Sequence, residues 1–281
     1  MGLVKPFAFM GSAPAGSTPD ADAWIAQVIS DGGSLTTTEQ NAVKDLETDL
    51  RAITSGSDSL YDRLYAIYPI VGGDEASSKY NLKGAASSFT YTINYQGSWT
   101  FDGNGATGDG TSTYGDTLLS PAGVVTLNGS SGYAGISVGI YLTVNVQTPS
   151  GYDLGANEQS VIAGFGNTTL YANFKSSPGS YRTATGVVTG TGDLYYATHT
   201  VDGTGTTTGV KNATDEVIAG SSTFSTTESN TFYLGNDHRG ASNPEYGNKG
   251  YGFAFIGAYI PGDYRTSFNN AVQDYNTALS R

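Results

Sequence analysis

The chain has 281 residues, a formal net charge of −12, 39 glycines, 20 tyrosines and no cysteine. With 14% charged and 38% hydrophobic residues it is too apolar for a disordered acidic chain and too weakly charged for a coiled coil. Its 13 Lys+Arg against 25 Asp+Glu leave no counter-charge for a phosphate backbone, so no nucleic-acid partner is expected. The absence of Cys removes disulfides, thiolate zinc sites and thiol nucleophiles together. His199 and His238 are the only imidazoles. No stretch approaches the ~18 consecutive apolar residues of a membrane span, so no membrane partner is expected.

Residues 1–17 read as an extended arm. The apolar core of MGLVKPFAFMGSAPAG is too short for a signal peptide, and Pro6 stands where a myristoylation signal needs Ser or Thr. Residues 18–75 read as a helical segment. Thr18-Pro19-Asp20 supplies a cap, a helix-starting proline and an acidic first turn ahead of Ala21, Trp24, Ile25 and Val28. Thr36 and Glu39 have capping-box spacing, and Val43, Leu46, Leu50 and Ile53 form one stripe behind them. Leu60, Leu64, Ile67 and Tyr68 predict a third helix over 59–68, ending before Pro69.

From about Lys79 the period changes from 3.6 to 2. Phe89 to Tyr95, Ile136 to Val146 and Phe232 to Leu234 alternate between Gly-, Asn-, Asp- or Ser-rich boundaries, with no helical pattern between them. Many short strands of this kind predict one antiparallel two-sheet sandwich or barrel over 76–262. The helical period returns over 263–281, where Phe268, Ala271, Val272, Tyr275 and Leu279 make a face that should pack on the sandwich or on the N-terminal helices. The fold class is therefore mainly β, with a small N-terminal helical segment and a C-terminal helix.

Chemical motifs are weak. Gly103, Gly105 and Gly108 match G-x-G-x-x-G, but Thr111-Ser112-Thr113 follows instead of a helix, so a glycine-rich loop between strands is expected. Gly135-Ile136-Ser137-Val138-Gly139 matches G-x-S-x-G, yet it runs on into a β pattern that leaves Ser137 an ordinary strand residue. No glutamate sits in the E-x-D-x-x-E cluster of retaining glucanases: Glu158, Glu216, Glu228 and Glu245 are isolated. The chain is read as not an enzyme. Asp102-Gly103-Asn104 opens like a calcium loop but has Thr113 at its twelfth position, so the EF-hand reading fails; no cofactor is expected, and a structural calcium on scattered oxygens stays open. Asn236-Asp237-His238-Arg239 reads as a capped polar turn. Loop aromatics such as Trp99, Tyr114 and Tyr246 have the amphipathic rings that stack on sugars, and equally the rings that fill a β core.

Two stretches carry a family likeness. LYDRLYAIYPIVGGDEASSKYNLK at 60–83 resembles the segment that precedes concanavalin A-like, LamG-type jelly-roll domains in virion proteins of tailed bacteriophages. The run at 232–281, with its A-F-hydrophobic-I-G strand and A-V-Q-x-Y-x-T-x-L closing helix, resembles the end of the same proteins; the usual L-G-R is here Leu279-Ser280-Arg281. Gly97-Ser98-Trp99-Thr100 and Asn104-Gly105-Ala106-Thr107 resemble that family's first strands, whereas residues 147–230 carry no such motif.

What the resemblance implies is a jelly-roll displayed on a virion as a tail, fibre or capsid-associated protein, with other virion proteins as partners and host surface glycans as a ligand class. The alternative is a free carbohydrate-binding module or adhesin, and a glycoside hydrolase on the same fold stands behind both. Trp99, Tyr114, Asn236, Asp237 and Tyr246 are the candidate ligand contacts. Trp24, Val43, Leu46, Leu50 and Ile53 are the candidate attachment and oligomerisation residues, their 3-4-3 stripe being what a multi-chain bundle buries, with a homotrimer expected.

Overall fold

The computed structural model describes residues 18–145, 153–156, 160–165, 169–174, 182–185, 190–202, 204–216, 221–223, 226–236 and 246–281. In chain order the first half contains α1 (Pro19–Ser30), α2 (Thr37–Ala52), β1 (Thr54–Ser55), β2 (Asp58–Ser59), α3 (Leu60–Arg63), β3 (Leu64–Tyr68) and α4 (Ala76–Lys79). Next come β4 (Asn94–Gln96), β5 (Thr100–Asp102), β6 (Gly105–Thr107), β7 (Tyr114–Asp116), α5 (Pro121–Ser131) and β8 (Ile136–Val144). The second half contains β9 (Leu154–Ala156), β10 (Ser160–Phe165), β11 (Thr169–Phe174), β12 (Arg182–Thr185), β13 (Asp193–His199) and β14 (Thr204–Lys211). It closes with β15 (Thr214–Glu216), β16 (Ser221–Thr223), β17 (Tyr233–Leu234), β18 (Gly250–Gly257) and α6 (Gly262–Ala278).

One sheet runs β12-β11-β10-β9-β17-β7-β4, and the other runs β15-β14-β13-β8-β18-β6-β5, with β16 also on β14 and β3 also on β18. Every pairing among the described residues is antiparallel. Strands β10 and β11 lie over β8, β13 and β14, so the two sheets face each other as a β-sandwich. The mainly β architecture with a C-terminal helix is the one the alternating and 3.6-residue patterns predict.

Strand β18 is buried at all eight positions. Phe253 and Phe255 project to α6, where Phe255 meets Phe268 edge-on at 5.0 Å and Phe253 lies 6.4 Å from Tyr275. Tyr196 of β13 joins this layer, 5.7 Å from Phe255. Gly139 of β8 lies opposite both Phe255 and Tyr196, and a Cβ there would collide with the Phe255 ring and the Tyr196 Cβ. Only glycine lets two large rings close over the strand between them. Helix α6 packs in turn on α2, and Arg281 beyond it donates to the carbonyls of Ile70 (2.7 Å) and Gly103 (2.6 Å).

The N-terminal helices are tied down by charge as well as by apolar contact. Asp20 accepts from the Tyr61 hydroxyl (2.7 Å), Arg51 (2.9 Å) and the Ala86 amide (2.9 Å). Glu47, fully buried, accepts from the Ala21 amide and Arg51, both at 2.7 Å. The Tyr61 ring has the Arg51 guanidinium and the Lys83 ammonium each 3.9 Å from its centroid. The capping box at Thr36 and Glu39 is formed.

Several sequence expectations are corrected. The stripe Val43, Leu46 and Leu50 is buried within the chain itself, beneath α6 and α1, and Ile53 is half-buried at its end. Trp24 is equally buried, its indole N–H donating to the Tyr80 carbonyl at 2.9 Å. These side chains are core, and a bundle between copies cannot use them. The helix expected over 59–68 stops after one turn, because Leu64–Tyr68 pairs with β18 and is buried throughout. A short apolar run reads equally as helix or as a strand covered on both faces, and here the pairing decides. The alternation over Phe89 to Tyr95 gives a strand only from Asn94, since Tyr91 turns left-handed at φ 57°. Helix α5 appears where no helix was expected, capped by the Ser120 hydroxyl on the Gly123 amide, with Pro121 in its first turn and Gly132 left-handed at its end. The expected arm, 1–17, lies outside the described residues.

Gly139→Ala should lower stability by about 1–3 kcal/mol through overpacking against Phe255 and Tyr196. Urea unfolding reads this as a lower midpoint at unchanged m; an unchanged midpoint would show that the ring layer is not tightly closed.

Candidate functional site

Strands β4, β7 and β17 lie side by side at one end of their sheet. Their register sets Asn94 opposite Asp116, Asp116 opposite Tyr233, and Gln96 opposite Tyr114. Opposed residues share a face. The alternate residues Tyr95, Gly115 and Leu234 are buried in the sandwich, so this set faces outward. Asn94 and Gln96 are exposed, with the Gln96 amide donating to Asn94 Oδ1 at 3.0 Å. Tyr114 and Tyr233 are half-buried and stack with centroids 4.6 Å apart at 11°.

Burial first, then the Asp116 carboxylate and Tyr114, push the Tyr233 phenol up to about 12. It is therefore a neutral hydroxyl at ordinary pH. Asp116 also accepts from the Leu118 amide at 2.9 Å, in a turn that holds Leu118 at φ 60° with its side chain 53% exposed. A bulky residue in that conformation is strained. The face thus offers two stacked rings, amide and carboxylate groups, and an apolar rim.

Behind the face, Trp99 closes the edge of the sandwich. Its ring lies 5.0 Å from Tyr95 in one sheet and 6.2 Å from Tyr251 in the other, and its indole N–H donates to the Gln96 carbonyl at 3.0 Å. Below it, Asp153 and Lys249 form a buried ion pair at 2.9 Å, and the Tyr251 hydroxyl donates to Asp153 at 3.1 Å. Burial, then Asp153, raise the Tyr251 phenol well above its ordinary value. This cluster holds the 246–249 segment to the sandwich, where the Gly247 amide also donates to the Gly235 carbonyl at 2.8 Å.

Of the residues singled out from sequence, Trp99, Tyr114, Asn236 and Tyr246 fall in this one region. Tyr114 is on the outward face. Trp99 is half-buried as the wedge between sheets, Asn236 is 3% exposed and so part of the interior, and Tyr246 is half-buried beside the Gly247 contact. Asp237 lies outside the described residues, as do His238 and Arg239. Asn94, Gln96, Asp116, Leu118 and Tyr233 were missed. The alternation Asn94-Tyr95-Gln96 and Tyr114-Gly115-Asp116 carries the local signal for three of the strand positions, but their alignment across strands depends on pairing that no local pattern contains. Ser137 is a buried strand residue bonded to Thr198 at 2.7 Å, as the β pattern predicts.

Elsewhere, a cleft of about 420 Å³ lies along the seam where α6 packs on α2, lined by Asp49, Ile53, Thr54, Asp263, Asn270 and Asp274 among others. Burial, then the charges of Asp45 and Asp274, raise the Asp49 carboxyl. Among the described residues no aromatic ring lines this cleft. Among the described residues no group of three His, Asp or Glu is placed to hold a metal ion, and no helix is long and apolar enough to cross a membrane.

No family model and no curated protein matches the chain. Among solved structures, a mutant Trypanosoma rangeli sialidase displaying trans-sialidase activity is similar at TM-score 0.56 and 10% identity, over 84% of this chain and 38% of that one. Domain 4 of AbnA, a GH43 extracellular arabinanase from Geobacillus stearothermophilus solved with arabinotriose, matches at TM-score 0.44 and 15% identity, over 73% of this chain and 98% of that one. Botulinum neurotoxin type C, whose cell entry depends on two ganglioside molecules, matches at TM-score 0.47 and 11% identity, over 75% and 52%. At these identities the likeness is one of fold. The chain spans about two-fifths of the sialidase. The expectation of a non-enzyme is nevertheless corrected: the sialidase matched at 0.56 is an enzyme, so this architecture is one that enzymes contain, and a missing E-x-D-x-x-E cluster does not remove catalysis.

Loop 109–113 packs against Asn248 and against Gly97, next to Trp99, and Asp109 organises it. Partial burial would raise the Asp109 carboxyl, but the Ser112 hydroxyl and the amides of Thr111 and Ser112 outweigh this and hold it well below its ordinary 3.8. A depressed carboxyl stabilises fully above the unfolded value and loses that contribution as pH falls towards the folded one. The Thr111 and Ser112 amide resonances should therefore keep their native shifts through about pH 4, where a free carboxyl is half protonated. Loss of those shifts at about pH 4 would contradict the hydrogen-bonded loop.

Proposed function

We propose that the protein binds carbohydrate, as a carbohydrate-binding module or adhesin, on the outward face of β4, β7 and β17. The observation that carries this reading is the stacked Tyr114–Tyr233 pair, set by strand register among Asn94, Gln96 and Asp116. Sugar rings present C–H faces to aromatic surfaces and hydroxyls to planar amide and carboxylate groups, and this face supplies both on a sheet rather than on loops. A rigid platform of this kind binds without first ordering its own side chains. The fold likeness to an enzyme acting on sialosides, and the sugar ligands named for other proteins of similar architecture, are in keeping with this class of ligand.

Display on a virion is a second reading, favoured by the motif resemblance at 60–83 and 232–281. It would give the binding face a location and other virion proteins as neighbours. Self-association into a trimer would then need surfaces other than the stripe at 43, 46 and 50, which α6 covers.

Tyr114→Ala and Tyr233→Ala are each expected to weaken glycan binding by at least about tenfold, or ~1.4 kcal/mol, measured by calorimetric titration with a glycan identified on an array. Their near-ultraviolet and far-ultraviolet dichroism should keep the folded signature. Undiminished binding by both variants would remove this face as the site.

A further inference from the structure

We infer that this face selects uncharged glycans and rejects acidic ones, sialosides included. The inference rests on the carbohydrate-binding reading and adds the charge of the ligand to it. The groups aligned across β4, β7 and β17 are two amides, two phenols and the Asp116 carboxylate. Among the described residues, none on this set of three strands is a Lys or Arg. Lys249, which immediately precedes β18, is 5% exposed and paired with Asp153.

Strand register sets Asp116 directly opposite Tyr233, so the carboxylate stands beside the ring on which a sugar would stack. A ligand carboxylate or sulfate would bring a like charge to that point, with no cation among the described residues of these three strands to offset it. The whole chain, at −12, repels such a ligand at longer range as well. For an uncharged sugar the same carboxylate is an asset, since it accepts from hydroxyls more strongly than a neutral oxygen does. The fold likeness to a sialidase therefore does not extend to the charge of the ligand.

The test uses the full chain and a panel of oligosaccharides that share a backbone and differ only in carrying no charge, a sialic acid, a uronate or a sulfate. Uncharged members are expected to bind at least about tenfold more tightly than their acidic counterparts. Asp116→Asn, which keeps the acceptor for the Leu118 amide, should narrow that ratio, and so should raising the salt concentration, because the discrimination is Coulombic. Equal or tighter binding of the acidic members overturns the inference, as does a ratio that neither Asp116→Asn nor salt alters. If acidic glycans bind and Tyr233→Ala abolishes it, the proposed site stands and the charge selection alone fails. Binding of neither class overturns both.

Discussion

A strand buried on both faces along its whole length constrains everything around it. Gly250–Gly257 has no solvent side, so each of its faces needs a cover. Inside, the cover is the opposing sheet. Outside, it is the C-terminal helix, whose Phe268 and Tyr275 close over Phe253 and Phe255. That helix then presents its flank to α2, and the N-terminal helices become part of the same core. The apolar stripe on α2 is thus consumed within one chain, which is why it cannot also hold copies together.

The outer edges of the strand carry the rest. On one side β3 pairs with it, and the free edge of β3 is finished by a side chain: Asn81 accepts from the Ile67 amide at 2.8 Å and donates to the Tyr65 carbonyl at 3.2 Å. The Leu82 amide adds a bond to the Ile67 carbonyl at 2.7 Å. The Asn-Leu-Lys at 81–83 thereby has a mechanical role, closing a sheet edge that would otherwise offer itself to another strand. Lys83 continues from it to the Tyr61 ring and carbonyl, linking this edge to the charged contacts around Asp20. Buried polar groups at Asp20, Glu47, Asn81 and Asp153 all spend hydrogen bonds on the chain itself, whereas the exposed amides and half-buried rings of the β4–β7–β17 face lie on the outer side of their sheet.

Legibility in the sequence followed the range of the interaction. The capping box at Thr36 and the stripe from Phe268 to Tyr275 are local, and both predicted their helices. The 59–68 segment failed because Leu64–Tyr68 answers to β18, almost two hundred positions away in sequence, rather than to its own period. Helix α5 had local signals at Ser120, Pro121 and Gly132, but Gly123 and Gly129 inside it break the helical pattern and hid it among turns. Of the candidate site, Tyr114 was legible as an aromatic outside any helix. Tyr233 and Asp116 become meaningful only when paired, and Asp153 with Lys249 joins residues 96 positions apart.

The central claim is that sugar is recognised on a sheet face rather than in the acidic cleft between α2 and α6. The most direct measurement is a titration of the isotopically labelled full chain with a short uncharged oligosaccharide, followed by amide chemical shifts. The account predicts saturable shifts at 94–96, 114–116 and 233–234, with the amides around Asp49 and Asp274 unmoved. Shifts confined to the α2–α6 cleft, with the sheet face silent, would contradict it.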